Sequence, residues 1–187
     1  YSLQTLVKFY GCNQKHVEHV VNLSIQLFKQ LRVLHKFPRQ YLKILKVVAM
    51  LHDSGAAIKY YDYEKHTAYI IQNASIYGLT SREMVMASFV AAVHKNDEFQ
   101  MSDFARYKEY VNENDIDAIR KLGIMLRIAE SLDRSMSSCV LTLNCDVLGD
   151  SVIMKTEVDG DASLEIKDAL NASSDFRRIF RKNLEIL

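Results

Sequence analysis

An adjacent histidine and aspartate, His52 and Asp53, follow an apolar helical segment and are the residues of this chain best suited to chemistry. A neutral imidazole and a carboxylate at neighbouring positions can both bind one divalent cation. On its own the pair is weak support for a metal site. It gains weight because three further histidines and one aspartate occupy predicted helix positions from which they could reach it: His16, His66, His94 and Asp133.

All six residues lie at or near the apolar faces of five separate predicted helices. Taken singly, a histidine on such a face is most often a hydrogen-bonded core residue, and an aspartate is most often a cap. Burying several ionisable groups together is costly unless they are paired or bind metal, so the set indicates a metal site. One site with open positions for water could use His16, His52, Asp53 and Asp133. A second ion could bind His66 and His94, with Asp53 as a bridge.

The ligand types indicate which cofactor and which reaction to expect. Imidazole with carboxylate suits Fe, Mn, Co, Ni or Zn, and oxygen-rich subsets also admit Mg, so we predict one or two divalent ions. Two metals about 3.5–4 Å apart are a known device for phosphate-ester hydrolysis. We therefore predict that Asp53, with a metal-bound water, is catalytic. The sequence contains no convincing catalytic triad, P-loop or dinucleotide-binding glycine pattern.

Two basic residues that directly follow predicted ligands are candidates for binding the substrate phosphate. Lys95 follows His94, and Arg134 follows Asp133. The more common role of such a residue is a solvated charge at a helix end, and this alternative stays open for both.

The helices that must position these groups are predicted from apolar periodicity and capping signals. Five helices are expected. The first runs from the N-cap Asn13 to Leu34, and the second covers about 39–51. The third contains His66 and ends near Gly78, the fourth begins at a capping-box pattern at 80–83, and the fifth begins at about Asp115. His19 and His35 are predicted to be surface residues, because the first lies off the apolar stripe and the second lies at a helix end.

Residues 137–187 change character. Apolar and polar residues alternate at 141–147, Gly149 and Asp150 mark a turn, and 152–158 read as a second strand, so a β-hairpin is predicted. We further predict a strand at 164–166, a short helix at 175–182 and a last strand at 184–187. The expected fold is mainly α: a helical domain at 1–136 followed by a small α+β domain of βββαβ type at 137–187.

Composition limits the class of function. The chain has 187 residues with a net charge of +1, which gives no electrostatic case for a specific nucleic-acid partner. No apolar run approaches the roughly 20 residues that span a bilayer, so no membrane association is predicted. Three cysteines without CxxC spacing favour a reducing cytoplasm. Since the sequence starts at Tyr1 and not at methionine, we expect it to be part of a longer polypeptide.

The ordered set His16, His52-Asp53, Asp133 resembles the H…HD…D signature of the HD superfamily of metal-dependent phosphohydrolases, and His66 and His94 resemble the extra histidines of its two-metal members. Three segments, 49–55 (AMLHDSG), 65–73 (KHTAYIIQN) and 126–135 (LRIAESLDRS), are similar to the C-terminal region of the Ppx/GppA family of exopolyphosphatases and guanosine pentaphosphate phosphohydrolases. This resemblance implies an HD-domain helical bundle, a polyphosphate or phosphorylated-nucleotide substrate, N-terminal actin-like domains in the same polypeptide, and a homodimer.

Two functions follow from these observations. The first is an HD-type metal-dependent phosphohydrolase site in the C-terminal part of an exopolyphosphatase. The second is a non-catalytic module that binds polyphosphate or dimerises, and so serves an N-terminal actin-like catalytic region. In that family the principal polyphosphate-hydrolysing site lies in the actin-like domains, and nothing in this sequence resembles them.

Overall fold

The chain was analysed as a computed structural model, which describes residues 1–96, 102 and 105–187. The helices in this part are α1 Leu3–Phe9, α2 Gln14–Gln30, α3 Arg32–His35, α4 Gln40–Leu51, α5 Tyr63–Asn73, α6 Ser81–Val93, α7 Glu113–Ser131, α8 Ser163–Leu170 and α9 Ser173–Phe180. The strands are β1 Val140–Leu148, β2 Ser151–Val158 and β3 Asn183–Ile186, and a 3-10 turn, Ser54–Ala57, joins α4 to α5.

The helix starts follow the capping signals in the sequence. The Asn13 side chain accepts a hydrogen bond from the backbone N–H of His16, so His16 is fixed in the first turn of α2. Thr80 and Glu83 form the predicted capping box at the start of α6. Asn112 and Asp115 form a second capping box at the start of α7. These side chains satisfy N–H groups that have no partner within the helix.

Two predicted helix ends are wrong. Helix α2 ends at Gln30, four residues early, and the chain continues into the one-turn helix α3, whose C-cap Lys36 has a φ of 54°. Helix α5 ends at Asn73 and does not reach Gly78. There the Asn73 side chain donates to the carbonyl of Tyr69, which satisfies a carbonyl of the last turn, and the following residue is extended.

The prediction that His35 is a surface residue is also wrong. The residue is 5% exposed. Its Nε2 atom lies 2.7 Å from the carbonyl oxygen of Phe28, and its Nδ1 atom accepts a hydrogen bond from the backbone N–H of Phe37. Because α3 turns back onto the end of α2, the histidine becomes part of the core. Burial lowers the pKa of His35, and the hydrogen bond to Phe28 only partly opposes this.

The tail is confirmed as a small sheet with helices, but its element order differs from the prediction. The hairpin forms as expected, with β1 antiparallel to β2, and β3 pairs parallel to β2. The segment 164–166 is not a strand but lies within α8. Ala162, Ile166 and Ala169 recur at helical spacing and pack on the core, and this period overrides the local alternation. The order is therefore ββααβ.

One contiguous hydrophobic core joins the helices to the sheet. The predicted stripe of α2 is at its centre, since Val20, Leu23 and Leu27 are all 0% exposed. Helix α2 also binds the edge of the sheet directly: the Gln26 and Gln30 side chains accept hydrogen bonds from backbone N–H groups of β1. The tail is thus packed against the helix that carries His16. Among the described helices, none is long and apolar enough to cross a bilayer.

Candidate metal centre

His16, His52 and Asp53 converge at the point where α2 meets the end of α4. The two histidine Nε2 atoms are 3.2 Å apart. The Asp53 Oδ2 atom lies 3.5 Å from His16 Nε2 and 3.4 Å from His52 Nε2. The histidine side chains are 4% and 0% exposed, and Asp53 is 22% exposed, so the carboxylate is the member of the group that solvent reaches.

These separations match those of ligands that share one metal ion. Two donors at about 2.0–2.1 Å from a tetrahedral ion are about 3.3 Å apart. All three measured separations, 3.2, 3.4 and 3.5 Å, lie close to that value. Within the described ranges of the chain, these three residues are the group whose donor atoms all approach one another this closely. The donor set fits a divalent ion of the kind predicted.

The hydrogen bonds behind the histidines aim their Nε2 atoms at this point. His52 Nδ1 lies 2.7 Å from the carbonyl oxygen of Ala49, so Nδ1 carries the proton and Nε2 is left as a lone pair. His16 Nδ1 lies 2.7 Å from Asp133 Oδ2 and is held in the same way. Two lone pairs therefore face each other, an arrangement that a cation or a proton must stabilise.

Asp133 contacts His16 and is not one of the three converging donors. It is fully buried, and its second oxygen accepts a hydrogen bond of 2.8 Å from the backbone N–H of Ser138. Burial lowers the pKa of His16, but the hydrogen bond to Asp133 and the charge of Asp53 outweigh it and raise the pKa above its ordinary value. Asp133 therefore holds the His16 ring through Nδ1, while Nε2 of the same ring faces His52 and Asp53.

The backbone around the His-Asp pair is fixed by α5. The Thr67 hydroxyl donates to the carbonyl oxygen of His52 at 2.8 Å and accepts from the N–H of Gly55 at 3.0 Å. Gly55 lies close to the backbone of α5. A Cβ there would lie 2.0 Å from the carbonyl oxygen of Tyr63, so only glycine permits this approach of α5.

A second buried polar cluster lies on the ends of α6 and α7. His94 Nδ1 lies 2.6 Å from the carbonyl oxygen of Ala91, and its Nε2 is 3.2 Å from Glu130 Oε2. That distance is within ion-pair range, but the orientation does not form a hydrogen bond, and neither atom has another partner in the described chain. Glu130 Oε1 accepts hydrogen bonds from the Tyr63 hydroxyl and from Lys95 Nζ.

Glu130 lines the pocket beside the candidate ligands and was not predicted from the sequence. Burial favours the neutral form, but the adjacent His94 and Lys95 outweigh it and hold the pKa of Glu130 well below its usual range. Glu130 is therefore ionised at neutral pH. A signal existed in the sequence, because Glu130 follows Leu122 and Leu126 at four-residue intervals and extends their buried stripe.

The remaining predicted residues are less closely associated with the three donors. His66 is half-buried on α5, is not in the converging group, and has no hydrogen bond or ion pair from its ring to the rest of the described chain. Lys95 is engaged by Glu130 and lies 5.0 Å from the centre of the Tyr63 ring. Arg134 is exposed, and no ion pair of its guanidinium occurs with a described residue.

A small pocket of about 70 Å³ opens onto the candidate ligands. Its lining includes His16, Asp53, Tyr60, Tyr63, Glu130 and Arg134. The pocket therefore combines two of the converging donors with one guanidinium and an aromatic wall. Burial and, secondarily, the charge of Asp53 raise the pKa of the nearby Cys12 thiol to about 11, which favours its protonated form.

Comparison with known proteins gives one family and several relatives. A family model described as Ppx/GppA phosphatase, domain III, matches residues 1–174. The chain is also similar to proteins named guanosine-5'-triphosphate,3'-diphosphate pyrophosphatase. The protein from Aeromonas salmonicida is 28% identical over 123 residues, 65% of this chain and 25% of the relative. The protein from Aeromonas hydrophila is 28% identical over 126 residues, which are 67% of this chain and 24% of the relative.

A third relative of the same name, from Pseudoalteromonas translucida, is 32% identical over 91 residues, which are 47% of this chain and 18% of the relative. The matched region thus spans a quarter or less of the length of each of these relatives.

Proposed function

Because the chain belongs to the Ppx/GppA phosphatase family, as its domain III, we propose that it contains an HD-type, metal-dependent phosphohydrolase site. The observation that carries this proposal is the spacing of three donor atoms, 3.2 to 3.5 Å apart, from residues on two separate helices and the turn that follows. At this spacing the two buried imidazole nitrogens and the carboxylate oxygen need a cation or a proton between them, because lone pairs that face one another without either are costly.

The ion would be held by His16 Nε2, His52 Nε2 and Asp53 Oδ2, with Asp133 orienting the first histidine. A divalent ion bound there supplies Lewis acidity and makes a neighbouring water a better nucleophile toward phosphorus. Mn, Fe, Co, Ni and Zn all accept a set of two imidazoles and one carboxylate, whereas Mg would need more oxygen ligands. Three protein donors leave coordination positions open, which is the pattern of catalytic and not of structural sites.

The protein residues around the pocket would position the attacking water and the substrate phosphate. Asp53 is partly exposed. The carboxylate oxygen of Asp53 that does not bind the cation could therefore accept a hydrogen bond from the attacking water. Arg134 lines the same pocket and can bind two phosphate oxygens through its planar guanidinium. Lys95 was predicted for this role, but its ammonium is already neutralised by Glu130. We therefore assign the phosphate contact to Arg134.

A second ion, predicted from His66 and His94, would need donors beyond the three already described. His94 Nε2 and Glu130 Oε2 are the better pair for it, because both are buried and neither has a hydrogen bond within the described chain. His66 lies outside the converging group.

The substrate class is a phosphate anhydride or ester, either polyphosphate or a phosphorylated nucleotide. The family description and the names of the relatives both support phosphate hydrolysis. In a longer polypeptide this site would accompany the N-terminal actin-like catalytic region of an exopolyphosphatase, as the family resemblance implies.

The test is metal analysis of freshly purified protein, with anomalous diffraction to locate the ion. Hydrolysis of phosphomonoesters, nucleotides and polyphosphate is then measured with Mn, Mg or Co. We expect His52→Ala and Asp53→Ala to abolish turnover and metal binding, while His19→Ala, a half-buried histidine of α2 outside the pocket, serves as the matched control. Full turnover in both site variants would reject the proposal.

The alternative, a non-catalytic binding or dimerisation module, is favoured by one surface. A groove of about 290 Å³ runs between α1 and α5, and exposed aromatic residues line it: Tyr1 is 71%, Phe9 78% and Tyr69 64% exposed. Exposed apolar patches of this kind mark interaction sites in many proteins. A stable dimer or tight polyphosphate binding by a metal-free protein without turnover would favour this second function.

A further inference from the structure

We propose that Tyr60 is a specificity-determining residue that stacks on the base of a nucleotide whose phosphate lies in the metal pocket. This inference rests on the proposed function and goes further, because it distinguishes substrates with a planar ring from linear polyphosphate.

Tyr60 is exposed and yet belongs to the pocket. Its side chain lines the same cavity as His16, Asp53 and Arg134, but the residue is 77% exposed. Most of the residue is therefore accessible to a ligand that enters the pocket. The exposed tyrosine lies beside a site for a phosphate group. It is therefore well placed to stack on the base of a nucleotide whose phosphate binds there.

The Tyr60 ring lies beside the Tyr63 ring, whose position is restrained by its own contacts. The Tyr60 and Tyr63 ring centres are 6.1 Å apart with the planes inclined by 32°. Tyr63 cannot move freely, because its hydroxyl donates to Glu130 at 2.7 Å and Lys95 Nζ lies 5.0 Å from its ring centre. A base stacked on Tyr60 would therefore meet a surface that is already ordered, which lowers the entropic cost of binding.

The charges of the pocket also favour one phosphate group with a ring over a long anionic chain. Among the described residues that line it, Arg134 is the one Lys or Arg, and two carboxylates, Asp53 and Glu130, line it as well. A polyphosphate chain carries a charge on every unit and needs a basic track along its length. At the rim the structure instead offers Tyr60 and the thioether of Met136, which is 48% exposed.

Tyr61 provides a matched control. It is adjacent in sequence and 72% exposed, but it does not line the pocket. The two tyrosines therefore differ in position and not in type or exposure.

The experiment uses metal-loaded protein with GTP, ATP and inorganic tripolyphosphate. Both kcat/KM and equilibrium binding by calorimetry are measured for the wild type and for Tyr60→Ala, Tyr60→Phe and Tyr61→Ala. Stacking predicts that Tyr60→Ala lowers the preference for nucleotide over tripolyphosphate by about 5- to 100-fold, mainly through KM. Tyr60→Phe keeps the ring and should keep the preference, as should Tyr61→Ala.

An equal loss on nucleotide and tripolyphosphate in Tyr60→Ala would overturn the inference, and so would no loss on either. The binding measurement separates this failure from that of the proposed function. Metal-loaded protein that hydrolyses none of the substrates refutes the phosphohydrolase, whereas base-selective binding lost in Tyr60→Ala would still support the stacking role. Protein that binds neither nucleotide nor tripolyphosphate refutes both.

Discussion

Replacing Asp133 by asparagine separates a residue that orients a ligand from a ligand itself. The substitution keeps the size of the side chain, and the remaining oxygen can still accept from the Ser138 N–H, now 2.8 Å away. The new amide nitrogen, however, takes the place of the oxygen that lies 2.7 Å from His16 Nδ1. An amide NH₂ can only donate, so His16 must move its proton from Nδ1 to Nε2, and a protonated Nε2 cannot bind metal.

The expected loss of affinity follows from this contact. Removing the partner of a metal-binding histidine commonly weakens metal binding by about 10- to 100-fold, or about 1.4 to 2.8 kcal/mol. Asp133 is fully buried and its contact is short, so no water can replace it, and we expect a loss near the upper limit. Asp53→Asn removes a donor atom directly and should weaken binding further.

Calorimetric titration of metal-depleted protein with Mn²⁺ or Zn²⁺ measures the effect, and thermal unfolding without metal checks that the variant folds. Asp117→Asn is the control, since it is a mostly exposed carboxylate of the same helix that pairs with Lys121. Two results would refute the reasoning: wild-type metal affinity in Asp133→Asn, or a diffraction map in which an Asp133 oxygen lies about 2.0–2.2 Å from the ion, as a direct ligand would.

Three further predictions concern the parts of the fold that support the site. Gly55→Ala should destabilise the protein by about 1–3 kcal/mol and weaken metal binding, because a Cβ would lie 2.0 Å from the Tyr63 carbonyl; unchanged urea unfolding would contradict the close approach. Burial lowers the pKa of His35 in the folded state, so the unfolded chain binds the extra proton and stability should fall as pH drops through about 6.5. Between about pH 7.5 and 5 the denaturant midpoint should fall more for the wild type than for His35→Gln. Parallel curves for the two proteins would contradict the lowered pKa of His35. Phe176→Ala should cost about 3–5 kcal/mol in unfolding free energy, because the ring is 0% exposed in the core beneath the sheet; a loss below about 1 kcal/mol would show that the tail is not packed as described.

The sequence was sufficient for the features that depend on neighbouring residues. Asn13 and Thr80 marked helix starts because a capping side chain bonds the backbone only two or three residues away. Gly149 and the alternation before it marked the hairpin for a similar reason. The apolar stripe that runs through Val20 placed His16 on the buried face of its helix, and the convergence with His52 and Asp53 followed from that placement.

Local patterns were insufficient where tertiary contacts compete with them. The segment 164–166 alternates like a strand, but the burial of Ala162 and Ala169 in the core favours a helix. His35 lies at a helix end, which usually means exposure, yet the turn between α2 and α3 buries it. In both cases the deciding contact comes from another element, and no short window of sequence contains it.

By itself the sequence determined that His16 lies on the buried face of its helix, because helical periodicity fixes the face on which a residue lies. It did not identify Glu130 or the tyrosines that line the pocket. It did not determine what each polar atom contacts there. The contact between Asp133 and the His16 ring joins residues that are 117 positions apart in the chain. The ion pair that neutralises Lys95 joins it to Glu130, 35 positions away. Hydrogen bonds are directional and act over about 3 Å, so such roles are settled only when the helices are packed at their final distances and rotations.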